Sequence, residues 1–159
     1  MDKNLEQVKE FHLTFGHPVR GEVTIPDEKE SALMIRLLRE ELDELEKGIA
    51  EGNVVEMADG LGDLQILLNG AFLRCGLSGI KEKIMDAIQY SNMSKACSTV
   101  HEAQKAIDDS VIVDKEGEPV TNSLYYKEVN GKFVLYRTSD GKIMKGPNYV
   151  KPVLEHLVC

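Results

Sequence analysis

The chain has 159 residues, enough for one domain with a real core. Its formal charge of −8 and sequence pI near 5.0 exclude a non-specific nucleic-acid binder, whose phosphate contacts need a surplus of Lys and Arg. No apolar run approaches the roughly 18–20 residues of a membrane span, the first dozen residues lack the apolar stretch of a signal peptide, and the expected setting is the cytoplasm, with no membrane partner.

Residues 4–15, NLEQVKEFHLTF, carry Leu5, Val8, Phe11 and either Phe15 or His12 at three- and four-residue steps, which predicts a short amphipathic helix. Gly16, Pro18 and Gly21 break it. Asp27 is placed to cap a second helix, with Glu30 at the capping-box position, and that helix should run to Gly48 or Gly52 with Met34, Leu38, Leu42, Leu45 and Ile49 as its apolar stripe. The short link GIAEGN leads to Asn53, the cap of a third helix reaching Cys75, and so short a link favours antiparallel neighbours. Most other positions of the third helix are Val, Met, Ala, Leu, Ile or Gly, so it reads as buried nearly all round. Gly60, Gly62 and Gly70 weaken it by up to about 1 kcal/mol each, which close helix packing would explain.

Ser78 or Gly79 opens a fourth helix with Ile80, Ile84, Ala87 and Ile88 on its inner face, ending near SNMSK. Thr99, with Glu102 at capping-box spacing, opens a short fifth through Val100, Ala103, Ala106 and Ile107. After residue 108 the chain turns polar, with one short strand expected before residue 122. Asn130-Gly131 and Asp140-Gly141 between β-rich runs then predict a three-stranded meander over residues 123–145, and PVLEHLV a last helical turn. The expected fold is mainly α: an antiparallel four- to five-helix bundle with a small C-terminal β meander. Residues 1–108 form the helical core and 109–159 an extension packed on it, one domain overall. Cys75, Cys97 and Cys159 are odd in number and lack metal-ligand spacing, so each reads as a buried or idle thiol.

Two acidic stretches carry the chemistry. At about 100° per residue, Glu40, Glu41 and Glu44 share a sector of about 100° that continues N-terminally as Leu33 and Leu37. Glu56, Asp59 and Asp63 lie within about 60° of one another on the third helix. Like charges one turn apart repel, and burying several without partners is prohibitive, so the two stripes ask for a cation. Oxygen-only ligands select Mg²⁺ or Mn²⁺, and such a site suits metal-assisted hydrolysis of a phosphoanhydride. Blander readings stand beside this one: Glu56 closing a capping box on Asn53, Glu40 pairing with Arg36, and acidic runs that are merely solvated helix faces.

The run EELDE (40–44) followed by EMAD (56–59) resembles the EExxE and ExxD signature of the all-α nucleotide pyrophosphohydrolases, the superfamily of MazG, the dimeric dUTPases and phosphoribosyl-ATP pyrophosphohydrolase. VKEFHLTFGHPV, ADGLGDLQILLNGAFLRCGL, YSNMSK and DGKIMKGPNYVKP, in that order, are similar to its MazG-like, phosphoribosyl-ATP pyrophosphohydrolase-like branch. The resemblance implies hydrolysis of a nucleoside triphosphate between the α and β phosphates. It implies Glu41, Glu44, Glu56 and Asp59 as Mg²⁺ ligands (Mn²⁺ as the alternative), Glu40 as the residue holding or activating water, and Asp63 as an outer-shell or purely local group. Asn92 and Lys95 match residues that meet the phosphates or sugar. His12 reads more readily as a hydrogen-bonded packing residue than as a base, and Lys145 and Tyr149 either close over the nucleotide or belong to an ordered surface loop. Homologous proteins are dimers or tetramers, so a homodimer or homotetramer is implied.

The gap between the two motifs is short, which leaves no inserted segment for a nucleobase pocket and sends base recognition elsewhere in the chain or to a second subunit. Phosphoribosyl-ATP is the alternative substrate, and a non-catalytic helical interaction protein the alternative class. A carboxylate-bridged di-iron bundle expects Glu-x-x-His pairs, and none of the four histidines has Glu three residues before it.

Overall fold

We describe residues 2–110, 120 and 123–158 of a computed structural model. They group into two compact units, Met1–Glu82 with Leu157–Cys159, and Lys83–His156.

In the first unit α1 (Lys3–Phe15), α2 (Glu28–Ala50) and α3 (Val54–Arg74) follow the predicted boundaries. Asp2 caps α1 by accepting from the Asn4 N–H at 3.0 Å, and Gly16 ends it in the left-handed conformation at φ 71°. Asp27 accepts from the Glu30 N–H at 2.8 Å, and Asn53 from the N–H groups of Val55 and Glu56, satisfying donors that a helix start leaves orphaned.

α2 and α3 form an antiparallel hairpin whose register is set by glycines. A Cβ on Gly48 would lie 2.9 Å from the Met57 nitrogen, and one on Gly60 3.1 Å from the Leu45 Cβ. Gly70 lies under the His12 ring, whereas Gly62 has nothing within 4 Å and does not serve helix packing. α1 docks on α3 through a small core of Leu5, Val8 and Leu73, with Val19 against it.

The loop from Gly16 to Ile25 lies along the C-terminal end of α3: the Arg20 N–H donates to Leu73 O and the Thr24 N–H to Cys75 O, each at 3.0 Å. Glu30 does not close the expected capping box. Arg20 grips its carboxylate with two hydrogen bonds, at 3.0 and 2.7 Å, and Arg74 adds a third at 3.2 Å, a charge-assisted pairing stronger than a cap.

The expectation that α3 is buried all round is corrected. α1 and α2 cover two of its sides and leave a third open, where Val54, Leu61 and Leu68 recur every seven residues. Ile35, Leu42 and Ile49 do the same on α2, so the predicted stripe of that helix is open at Leu42 and Ile49. The register holds the two columns level, and all six side chains are 44–68% exposed.

After a 3₁₀ turn at Ser78–Ile80, α4 (Lys81–Met93) leads into the second unit, where α5 (Val100–Asp108) packs on an antiparallel hairpin of β1 (Leu124–Val129) and β2 (Lys132–Arg137). Asn130 and Gly131 take φ of 50° and 72° in the tight turn that their sequence signalled. The third strand of the meander shrinks to a single bridge between Ile143 and Tyr136, and the same edge of β2 takes a second single bridge from Cys97 to Phe133. KIMK is too short and too polar at its ends to hold a longer ladder. Cys97, Ala103 and Leu135 form the core here, under Tyr126, Phe133 and Met144. α6 (Glu155–Val158) is the last helical turn. The strand expected before residue 122 and Cys159 lie outside the described residues. Burial raises the thiol pKa of both Cys75 and Cys97. Among the described residues no helix is long and apolar enough to cross a membrane.

Two glycines in the left-handed region give a clean stability test. A Cβ on Gly76 (φ 68°) would meet the Glu22 carbonyl oxygen, whereas one on Gly52 (φ 65°) meets nothing within 4 Å. Urea titration should show Gly76→Ala losing at least ~3 kcal/mol and Gly52→Ala about 1 kcal/mol.

Candidate functional site

With Leu45 opposite Gly60 and Gly48 opposite Met57, Glu41 stands level with the turn holding Asp63, and Glu44 with the turn between Asp59 and Asp63. All lie on one side of the α2–α3 seam. Glu41 is half-buried, and its Oε2 is fully buried with no hydrogen-bond partner. Burial pushes its pKa up first, and the like charges of Asp63, Glu44, Asp59 and Glu40 push it further. The structure thus brings Glu40, Glu41, Glu44, Asp59 and Asp63 within electrostatic reach of one another.

Glu56 stands apart from that group. Its Cβ lies against Gly48, its N–H is capped by Asn53, and it is not among the strongest charges acting on Glu41. Glu40 pairs with Arg36 at 3.2 Å across an exposed helix face, a contact worth at most about 1 kcal/mol. Asp63, expected as an outer-shell or local group, is the strongest of the charges on Glu41. The signal was available in the sequence: a link as short as GIAEGN fixes which turns of the two helices stand level.

Among the described residues no three of His, Cys, Asp and Glu converge closely enough to hold one metal ion, as mutual repulsion dictates for neighbouring carboxylates. The donor set nonetheless fits a hard divalent cation. It is all oxygen, and it includes a buried carboxylate oxygen with no hydrogen-bond partner in the protein among the described residues, which is costly unless a cation pairs with it.

His12 is buried, and its Nδ1 lies 2.9 Å from Pro18 O. Burial lowers its pKa. The neutral ring therefore donates from Nδ1 and presents Nε2 as an acceptor. The packing role expected of this histidine is present in that bond.

In the second unit the SNMSK and KGPNY segments meet. The Val150 N–H donates to Ser94 Oγ at 2.9 Å and the Gly146 N–H to Lys95 O at 2.9 Å, where a Cβ on Gly146 would clash at 2.7 Å. Lys95 Nζ donates to Asn92 Oδ1 at 2.8 Å, and Lys145 Nζ lies 4.4 Å from the centre of the Tyr149 ring. The Ser91 hydroxyl, donating to Tyr149 OH, lowers the phenol pKa, and Lys145 and Lys95 lower it further. Asn92, Lys95, Lys145 and Tyr149 therefore form one cluster, the only grouping of the expected substrate residues within this unit.

A family model described as phosphoribosyl-ATP pyrophosphohydrolase matches residues 8–92, more than half of the chain, from the middle of α1 to the end of α4. Comparison with curated proteins returned no significant match.

Because the folded state raises the Glu41 pKa, it favours the protonated side chain: that contribution to stability is full below the ordinary carboxylate pKa and is lost as pH rises through the raised value. In divalent-free buffer at neutral pH, Glu41→Gln should melt about 2–4 °C above wild type. The gap should close as the pH falls through the carboxylate range, and calorimetric scans across pH check it.

Proposed function

The chain belongs to the phosphoribosyl-ATP pyrophosphohydrolase family and is a nucleotide pyrophosphohydrolase; from that premise we propose that it cleaves a nucleoside or deoxynucleoside triphosphate between the α and β phosphates, with Mg²⁺ as cofactor and Mn²⁺ as substitute. The observation that carries the reading is the buried, unpartnered Glu41 oxygen on α2, acted on by the like charges of Asp63 and Asp59 from α3 and of Glu44 from its own helix.

Glu41, Glu44 and Asp59 would hold the cation, Asp63 beside them, with Glu56 reaching in from the next turn. When bound, the ion neutralises phosphate oxygens and aligns the scissile anhydride. Glu40, at the solvent edge, orients the attacking water and takes its proton once its exposed pairing with Arg36 opens. The Pα–O bond to the β phosphate breaks, and pyrophosphate leaves with the bridging oxygen. Within the second unit, the Asn92, Lys95, Lys145 and Tyr149 cluster is a separate patch of positive charge in an otherwise acidic protein, suited to a phosphate or sugar group. The protein acts in the cytoplasm as a homodimer or homotetramer, in which a second copy covers the exposed columns of α2 and α3.

Phosphoribosyl-ATP is the second reading, favoured by the description of the matching family. Pyrophosphate release should be measured over a panel of ribo- and deoxynucleoside triphosphates together with phosphoribosyl-ATP, with and without Mg²⁺. The expectation is Mg²⁺-dependent release from at least one triphosphate, with kcat falling about 10²-fold or more in Glu41→Gln and Glu44→Gln. Cleavage of phosphoribosyl-ATP alone would decide for the second reading, and no cleavage at all would overturn both.

The same reading expects the carboxylates to contribute unequally. Binding of Mn²⁺ to the nucleotide-free protein, followed by electron paramagnetic resonance, should weaken about tenfold or more in Asp63→Asn and less in Glu56→Gln.

A further inference from the structure

The acidic face of the hairpin is one end of a longer trench. α1 and α2 both pack on α3, which floors the space between them. Along that floor Asp59, Asp63, Ile66, Leu67, Gly70 and Arg74 fall within a sector of about 100°. On the α2 wall Glu44 and Glu41 give way to Leu37 and Leu33 and then to Glu30, on one face of that helix. The trench therefore runs from carboxylates, through an apolar stretch, to the Arg20–Glu30–Arg74 ion pairs that close it.

The apolar stretch contains a cavity of about 260 Å³, lined by Phe11, His12, Leu33, Leu37, Leu67 and Gly70 among others. Drug-sized ligands occupy roughly 300–1,000 Å³, so this one suits a single planar ring system. From Asp63 to Gly70 the rise along α3 is about 10 Å, which places the cavity about a sugar's length beyond the carboxylates. Phe11 stands half-exposed at the rim, with its ring stacked on His17 at 5.8 Å. His12 is held by Pro18 O through Nδ1, and its Nε2, with no hydrogen bond among the described residues, sits beside Gly70, another residue of the cavity lining. A ring that combines a flat apolar face with an N–H donor on its edge matches this lining.

Resting on the pyrophosphohydrolase reading, we propose that the cavity between α1, α2 and α3 is the nucleobase subsite, with Phe11 and Leu37 packing on the base and His12 Nε2 accepting a hydrogen bond from its edge. This gives the chain a base-reading element of its own, built from the N-terminal helix, with no insertion between its acidic motifs.

The test uses the full chain in divalent-free buffer, titrated with dAMP, dCMP, dGMP and dTMP, with deoxyribose 5-phosphate as the base-free probe. Binding is followed by calorimetry and by the ¹⁵N resonances of the His12 imidazole. At least one nucleotide should bind about tenfold or more tighter than the sugar phosphate, a margin that base stacking supplies, and should shift the Nε2 signal. Phe11→Ala and Leu37→Phe should each abolish that margin while Mn²⁺ affinity holds. If the larger side chain at 37 prevents folding, Phe11→Ala decides, since Phe11 is 48% exposed. Equal binding of nucleotides and sugar phosphate, an unmoved His12 signal, or a margin that survives Phe11→Ala overturns the subsite. Turnover with base-independent binding sinks this inference alone, whereas base binding without turnover sinks the pyrophosphohydrolase reading alone.

Discussion

The close approach of α2 and α3 is the constraint on which the first unit depends. Gly48 against Met57 and Gly60 against Leu45 leave no room for a Cβ, so the two helices meet at one level and in one rotation. Everything arranged about the seam follows from that register. One side carries the carboxylates of both helices, and the other carries the level apolar columns of Ile35, Leu42, Ile49 and Val54, Leu61, Leu68. A glycine costs a helix up to about 1 kcal/mol in propensity. That cost is accepted where it sets the distance between two charged faces, and helix stability alone would not call for it.

Two half-buried carboxylates, only three helical turns apart on α2, show how differently one chain treats the same group. Glu30 is satisfied completely: Arg20 and Arg74 hold it, and the hydrogen bonds from Arg20 and then Arg74 keep its pKa below the usual carboxylate range. Glu41 has a buried oxygen with no partner and only like charges around it, and its pKa moves the other way. A fold able to recruit two arginines for one carboxylate is not short of means to neutralise another. The site at Glu41 is left electrostatically open, and its charge is the kind of cost that stabilising selection removes unless a ligand uses it.

Much of the fold was legible because its signals are local. Asp27, Asn53 and Thr99 cap the helices that their positions announced, and Asn130-Gly131 turns the hairpin. What was not legible depends on contacts between distant residues. Glu30 reads locally as a capping-box residue, but Arg74, 44 positions away, competes for it and wins. The Cys97 bridge to Phe133 carries no local signature either. Periodicity reports which residues gain from burial without saying whether the chain has a surface to cover them, so α3 reads as enclosed although, among the described residues, α1 and α2 leave its Val54, Leu61 and Leu68 face exposed. At the candidate site, motif spacing picked out two stretches whose carboxylates the fold brings within electrostatic reach of one another. It could not say that Asp63 acts on Glu41 more strongly than Asp59 does, because that order depends on which turns stand level across the seam.

The same register makes the trench an ordered sequence of environments. On both α2 and α3 the face that carries carboxylates at one end carries aliphatic side chains in the middle and an ion-pair network at the other. A helix face of uniform polarity needs no explanation beyond burial or solvation. A face that changes character in step with its neighbour, over about three turns, presents charge and apolar surface at a fixed separation. A nucleotide has the same construction: a polyanion that binds cations, then a sugar, then a flat ring with a donor and acceptor edge. Two helices locked by glycines at a single register can hold such a ligand at both ends, because neither wall can slide without breaking the packing at Gly48 and Gly60.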